Sequence, residues 1–323
     1  MPRNHPFDKT DAKGLSKFML PPSMRFIERD WLSSNQIVFL DDDLRASVVD
    51  TGYVKHKALS QLLVNQARSG RSLTRILNTH LHSDHCGGNR LLTDSYGCEV
   101  LVPEASFAAA SSWDESGLSF QATGQRCDPF TPTQALAPGQ SVMLGGMPWL
   151  VNAAPGHDPE SIILFQQDTG ILISADALWG DGFGVIFPEL TGDSGFNEQE
   201  AILKVIYQLR PRCVIPGHGP MFSDVEEALK RAETRLVFLR SQPLKHAQYA
   251  LKVLVKFLML DRETENKTEF IEHLSRAQVP RDACAILGIE VSMGITQTID
   301  GMIASGQLFL SSDGQVLSAH PSL

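Results

Sequence analysis

Across 323 residues there is no Cys-x-x-Cys unit, and the five cysteines, Cys86, Cys98, Cys127, Cys213 and Cys284, stand apart and odd in number. That excludes a thiolate-held structural zinc and a thiol–disulfide redox motif, and it fits a reducing compartment. No stretch reaches the roughly 18 apolar residues that a membrane-crossing helix needs. Even residues 250–260 are broken by Lys252 and Lys256. Residues 1–9 hold no apolar core of a signal peptide, so a cytoplasmic location is expected and no membrane partner. Positive charge is also short: 28 Lys and Arg face 37 Asp and Glu, for a formal charge of -9. Phosphate backbones recruit positive surface, so no nucleic-acid partner is expected. There is no internal repeat and no low-complexity tract.

What is present is an ordinary globular composition, 42% apolar, over a length that suits one large or two ordinary domains. Residues 1–20 are polar and mixed and read as an N-terminal arm. From 21 to 240, short apolar runs alternate with helical stretches. Strands are expected near 37–40, 44–49, 73–78, 97–102, 141–144, 149–153, 161–166, 170–174 and 213–215, and helices near 60–68 and 198–209. Residues 111–138 show no period and read as a long functional loop, and a second Gly-rich loop spans 179–196. Two sheets between helical layers satisfy this α/β pattern. After residue 240 the period changes. Residues 241–323 read as a smaller, mostly helical unit with helices near 246–260, 267–275 and 296–305. It ends in a hairpin about the Asp313-Gly314 turn, a winged-helix-like order.

The densest chemistry is Thr79-His80-Leu81-His82-Ser83-Asp84-His85-Cys86-Gly87-Gly88, directly after an apolar strand. Imidazoles and carboxylates are poor core filling, because buried polar groups need partners. His157 in Ala154-Pro155-Gly156-His157, Asp176 after Ile171-Leu172-Ile173-Ser174-Ala175, and His218 in Ile215-Pro216-Gly217-His218 repeat the theme of an apolar run ending in a ligand-type side chain. Nitrogen and oxygen donors of this kind make zinc the expected metal, and they also suit iron or manganese. Seven of them suffice for two divalent ions. His80, His82 and His157 would hold one, Asp84, His85 and His218 the other, and Asp176 has two oxygens with which to bridge. Such a pair activates water at neutral pH for attack on a carbonyl or phosphoryl centre. Asp84 is also the candidate to hold or relay the water proton. The remaining histidines, His5, His56, His246, His273 and His320, read as ordinary surface or core residues.

The His80, His82, Asp84, His85 run resembles the His-x-His-x-Asp-His signature of the metallo-beta-lactamase superfamily. His157, Asp176 and His218 follow in that family's order, and the resemblance covers about residues 35–220. It implies an αββα sandwich with a two-metal centre at the edge between the sheets. With Asp84 and a bridging Asp176, the pattern is similar to the glyoxalase II, lactonase and ribonuclease branches rather than to the true zinc beta-lactamases.

The expected activity is therefore hydrolysis of a small ester, thioester or lactone. Phosphodiesterase or ribonuclease action is the alternative enzyme, and a metal-binding regulatory protein the non-catalytic one. The tail resembles the small winged-helix-like domain that follows the core in some members. However, residues 245–323 hold 7 Lys and Arg against 9 Asp and Glu, and none of the 7 lies beyond Gly288. A packing or homodimer surface suits it better than nucleic-acid reading. Trp179 and Phe183, in the loop after Asp176, are the candidate walls for a small-molecule substrate. No basic cluster is evident for the carboxylates of glutathione, and none of the four tyrosines lies in that loop.

Overall fold

A computed structural model describes residues 8–10 and 16–320. Residues 1–7 and 11–15 of the expected arm lie outside the described residues; the short strands Asp8–Thr10 and Ser16–Phe18 pair antiparallel. One sheet has six strands in the order Met24–Ile27, Gln36–Leu40, Arg45–Val49, Ser72–Leu77, Glu99–Pro103, Gln134–Leu136. Its first three are antiparallel and the rest parallel. The second sheet has five strands: Cys213–Pro216, Ile171–Ala175, Ile162–Gln166, Met147–Ala153 and Ser141–Leu144. It is antiparallel except where Cys213–Pro216 runs parallel to its neighbour.

Side-chain alternation along the strands makes the layers. Phe39, Leu77 and Leu101 of the first sheet meet Trp149, Leu164 and Ile173 of the second, with the Phe39 and Trp149 rings edge to face at 5.3 Å. One residue along, Val38, Ile76 and Val100 point outward against Val64 and Leu92 of helices Lys57–Ala67 and Asn89–Tyr96. On the far side Ile163, Leu172 and Val214 pack beneath helices Phe196–Leu209 and Val225–Ser241. Strands buried on both faces explain why they read as unbroken apolar runs. The result is a helix–sheet–sheet–helix stack, and the loops leaving five of its strands converge at one edge.

Beyond Ser241 come helices Pro243–Arg262, Lys267–Arg276, Gln278–Leu287 and Val291–Ala304. Strand Thr264–Asn266 pairs with Val316–Ser318, which pairs in turn with Phe309–Leu310. Short elements also form inside stretches read as loops, Phe120–Thr123 and Pro188–Thr191 among them, and two further departures have plain causes. Helix Gln278–Leu287 holds Pro280 at its third position, where a helix has no internal acceptor for the missing N–H, so the proline is no barrier. Strand Gln134–Leu136, inside the stretch read as loop, exists because the edge of Glu99–Pro103 offers it a ladder. Among the described residues no helix is long and apolar enough to cross a membrane.

The long helix Pro243–Arg262 docks on the sandwich through a buried polar junction. The Tyr53 hydroxyl donates to Asp261 Oδ2 at 3.0 Å, and Arg126 donates to the same carboxylate through Nε at 3.1 Å and a terminal nitrogen at 2.8 Å. Lys55 Nζ donates to the Leu260 carbonyl at 2.7 Å, and the Tyr53 ring meets Phe257 edge to face at 4.9 Å. The Arg126 side chain is 61% exposed, so its ion pair contributes little. Tyr53 is fully buried, and stranding its hydroxyl costs about 1–3 kcal/mol. Asp261→Ala should therefore lower unfolding stability by about that amount in urea titration. Adding Tyr53→Phe to it should cost little more, because the stranded hydroxyl is gone. Additive losses would show that the junction does not act as a unit.

Candidate metal centre

Seven side chains from four loops meet in the edge cleft. His80 and His82 leave strand Ser72–Leu77, and the turn Ser83–Cys86 carries Asp84 and His85. His80 Nε2 lies 3.2 Å from His82 Nδ1, which lies 2.8 Å from His157 Nε2. His218 Nε2 lies 3.0 Å from Asp84 Oδ2, and His85 Nε2 lies 3.9 Å from that oxygen. Asp176 stands between these groups, with Oδ1 3.4 Å from His85 Nε2 and Oδ2 3.4 Å from His157 Nε2. Three overlapping donor sets result: His80, His82 and His157; His80, His85 and Asp176; Asp84, His85 and His218.

The outer partners fix which nitrogen faces inward. His157 donates Nδ1–H to the Val185 carbonyl at 2.5 Å, so its Nε2 presents a lone pair. His82 Nε2 faces Asp158 at 3.4 Å, which leaves Nδ1 to the centre. His85 donates Nδ1–H to Asp50 Oδ2 at 2.8 Å, and its Nε2 is buried with no hydrogen-bond partner among the described residues. Lone pairs that face one another across 2.8 Å repel unless a cation or proton lies among them. Burial holds His82 and His157 down to about 4, and drives His80 well below the usual imidazole range. These three rings are therefore neutral, which is the form that binds metal. Burial alone would raise Asp84, but the neighbouring His85 and the bond from His218 outweigh it and bring it to about 2. Asp176 is likewise held ionised, chiefly by His85 and His218. Burial opposes the charged imidazole, but Asp176 and the other nearby carboxylates raise His85 well above the usual imidazole range and His218 above it, so a cation bound there displaces their protons. Imidazole nitrogens with ionised carboxylates are a donor set that fits divalent cations.

The backbone is shaped to bring the donors this close. Ala175 adopts φ +47°, strained for a residue with a side chain, and a register irregularity follows Ile173 as Asp176 turns inward. A methyl group on Gly217 would sit 2.1 Å from Asp176 Oδ1, so only glycine allows the two loops to touch. Asn35 Nδ2 donates to the Pro216 carbonyl at 2.9 Å and the Gly219 carbonyl at 2.8 Å, and Ser34 N donates to the Asp84 carbonyl at 2.9 Å. This short segment ties the His218 loop to the Asp84 turn.

Sequence reasoning missed Asp50, Asp158 and Asn35. Asp50 carries a signal of the same kind as Asp176, a carboxylate ending an apolar strand; it accepts from the Thr79 amide at 2.9 Å and hydroxyl at 2.8 Å as well as from His85. Trp179 lines the cleft, and its indole N–H donates to Asp176 Oδ1 at 3.1 Å. Phe183 does not line it. It is fully buried in the core beneath helix Val225–Ser241, because the loop turns at Gly182 and sends its ring into the sheet's outer layer. Among the described residues His56, His246, His273 and His320 stand outside the donor sets.

Residues 29–218 match the model of the metallo-beta-lactamase superfamily, well over half of the chain. The chain belongs to that superfamily. Within it, the protein is 28% identical over 175 residues to a hydroxyacylglutathione hydrolase of Rhizobium johnstonii, covering 54% of this chain and 57% of that one. The matched stretch thus spans only about half the length of such curated relatives. A crystal structure of a beta-lactamase domain protein from Burkholderia ambifaria superposes with a TM-score of 0.56 at 18% identity, covering 94% of each chain. That of TTHA1623, in a di-iron-bound form, gives a TM-score of 0.52 at 21% identity and covers 65% of this chain and 99% of that one. Both show the same fold. Divalent metals, typically two, are the superfamily's cofactors.

A carboxylate behind a metal-facing imidazole usually controls affinity by roughly 10- to 100-fold. Asp50→Ala should weaken binding of the metal on the His85 side by that factor, read in competition with a chromophoric chelator, while Asp50→Asn should recover part of the loss. Unchanged affinity in both variants would remove Asp50 from the centre.

Proposed function

We propose that this superfamily member is a binuclear metal-dependent hydrolase of a small ester, thioester or lactone. The observation that carries the reading is the lining of the cleft above the seven donors. It opens to solvent, and neither Lys nor Arg is among its lining residues. Trp31, Leu32, Val185, Phe187, Tyr249 and Val253 supply much of its surface. A phosphodiester or nucleic acid brings negative charge that such a wall does not answer. A neutral carbonyl compound brings none, and its hydrocarbon part gains by leaving water. The same lack of cations counts against the anionic glutathione moiety implied by the Rhizobium relative's name.

His80, His82 and His157 would hold one ion and Asp84, His85 and His218 the other, with Asp176 shared. Zinc, iron or manganese suits this donor set, and the di-iron form of TTHA1623 lends weight to iron. When bound, the ions supply Lewis acidity and water of lowered pKa. The protein's own part is orientation. Asp84, at about 2, stays ionised at neutral pH and is too weak a base to keep a proton. It serves by accepting a hydrogen bond from the attacking water and aiming it. Trp179 steadies Asp176 from one side of the cleft, and Phe187 covers the rings of His82 and His157 at 5.9 Å from each. The tail, read as winged-helix-like, would act as a wall of the cleft rather than as a nucleic-acid reader.

Protein purified without added metal should contain close to two transition-metal ions per chain by elemental analysis. It should hydrolyse members of a panel of thioesters, lactones and p-nitrophenyl carboxylates, lose that activity to a chelator and regain it on metal return. Faster turnover of bis-p-nitrophenyl phosphate would favour the phosphodiesterase reading. A fully loaded protein inert to every ester class would favour a regulatory one.

A further inference from the structure

We infer that helix Pro243–Arg262 is the specificity wall of this site and that it takes the apolar acyl chain of the substrate. The inference rests on the hydrolase reading just given and adds the substrate's shape to it. Tyr249, Val253 and Phe257 line the cleft at intervals of four residues, which places them in one stripe on one helix face. They stand with Trp31 and Leu32 in the same cleft as Asp84 and His218. None of the donor sets draws on this helix, so its contribution there is surface and shape.

The stripe is held rigid at both ends. Arg235 lies over the Tyr249 ring at 4.7 Å, and Phe257 is braced by Tyr53 at 4.9 Å, itself bonded to Asp261 one turn further along the helix. Val253 sits between these anchored rings and is the position at which a change of volume alters the depth of the cleft. Trp31 keeps 47% of its surface exposed, a large ring at the rim where a longer chain would emerge. Leu32 beside it is held at φ +84°, a conformation that side-chain-bearing residues seldom adopt, and its side chain is buried against the same wall. The opposite flank of the centre, past His82 and His157, mixes Leu118, Phe187 and Val279 with Ser116, Asp158 and Glu160. No carboxylate interrupts the helix stripe itself, so the path for an acyl chain runs along it and out past Trp31.

The test is a series of p-nitrophenyl esters from acetyl to dodecanoyl, paired with binding of the matching methyl ketones, which cannot be hydrolysed, followed by tryptophan fluorescence of the metal-loaded protein. Wild type should favour longer acyl chains over acetyl in kcat/KM, with binding of the ketones tightening in parallel. Val253→Phe should lower the octanoyl-to-acetyl ratio by about tenfold or more, the scale set by a methylene or two in a hydrophobic pocket. Val253→Ala, which removes volume and keeps the helix, should move the optimum to longer chains. Equal metal content and circular dichroism in the variants would show that both are folded. A flat chain-length profile in wild type, or one untouched by both substitutions, overturns the inference while leaving ester hydrolysis in place. Length-dependent ketone binding that responds to Val253, without turnover of any ester, supports the wall and overturns the hydrolase reading.

Discussion

Everything in this molecule is arranged around lone pairs and carboxylates that cannot tolerate one another without a cation. The Nδ1 of His82 and Nε2 of His157 stand 2.8 Å apart with their protons turned to outside partners. His85 Nε2, 3.4 Å from Asp176 Oδ1, is buried without a hydrogen bond among the described residues. Burying such groups uncompensated costs several kcal/mol each. Metal binding, on the order of 10 kcal/mol for a zinc ion in a small protein site, is large enough to reverse that sign. The comparison decides the reading: a structural hydrogen-bond cluster would have paired these atoms, and this arrangement leaves them facing a common point.

Holding the donors together falls to residues that never face the centre. Asp50 turns His85 and fixes the Thr79 backbone, and Asn35 clips the His218 loop while its neighbour Ser34 holds the Asp84 turn. Gly217 contributes by having no side chain. The strain at Ala175 belongs to the same pattern, since a strand that continued straight would carry Asp176 past the centre. Convergence is thus a property of loops at the ends of rigid strands, the usual place for chemistry on a stacked α/β scaffold.

That division explains what could be read in the residues alone. The candidate donors are legible because His80, His82, Asp84 and His85 fall within six positions, and because polar residues at the ends of apolar strands have few other reasons to exist. The strands were visible because they are buried on both faces. Asp50 carried the same signal as Asp176 and was passed over because a lone carboxylate at a strand end also suits a turn. Asn35 could not be seen, for its role is defined by carbonyls about 180 residues away. Phe183 was misplaced because an aromatic in a Gly-rich loop gives no clue to which side of the loop it will bury. The stripe Tyr249, Val253 and Phe257 carries no signal of its own in the sequence, because a helix face takes on meaning only once the surface opposite it is known.

The helix that forms this stripe also determines how specificity and stability are linked. Its docking junction, Tyr53 and Arg126 on Asp261, is built on residues close to the site: Tyr53 follows Asp50-Thr51-Gly52, and Arg126 follows Gln125, which lines the cleft and accepts from Ser83. Any shift of the helix therefore moves one wall of the cleft and pulls on segments adjoining the ligand turn. Conversely, a bound chain lying against Val253 and Phe257 adds buried apolar contact between the tail and the sandwich, at roughly 25 cal/mol per Å² removed from water. Occupancy of the cleft and attachment of the tail should then favour each other, because the same helix face serves both.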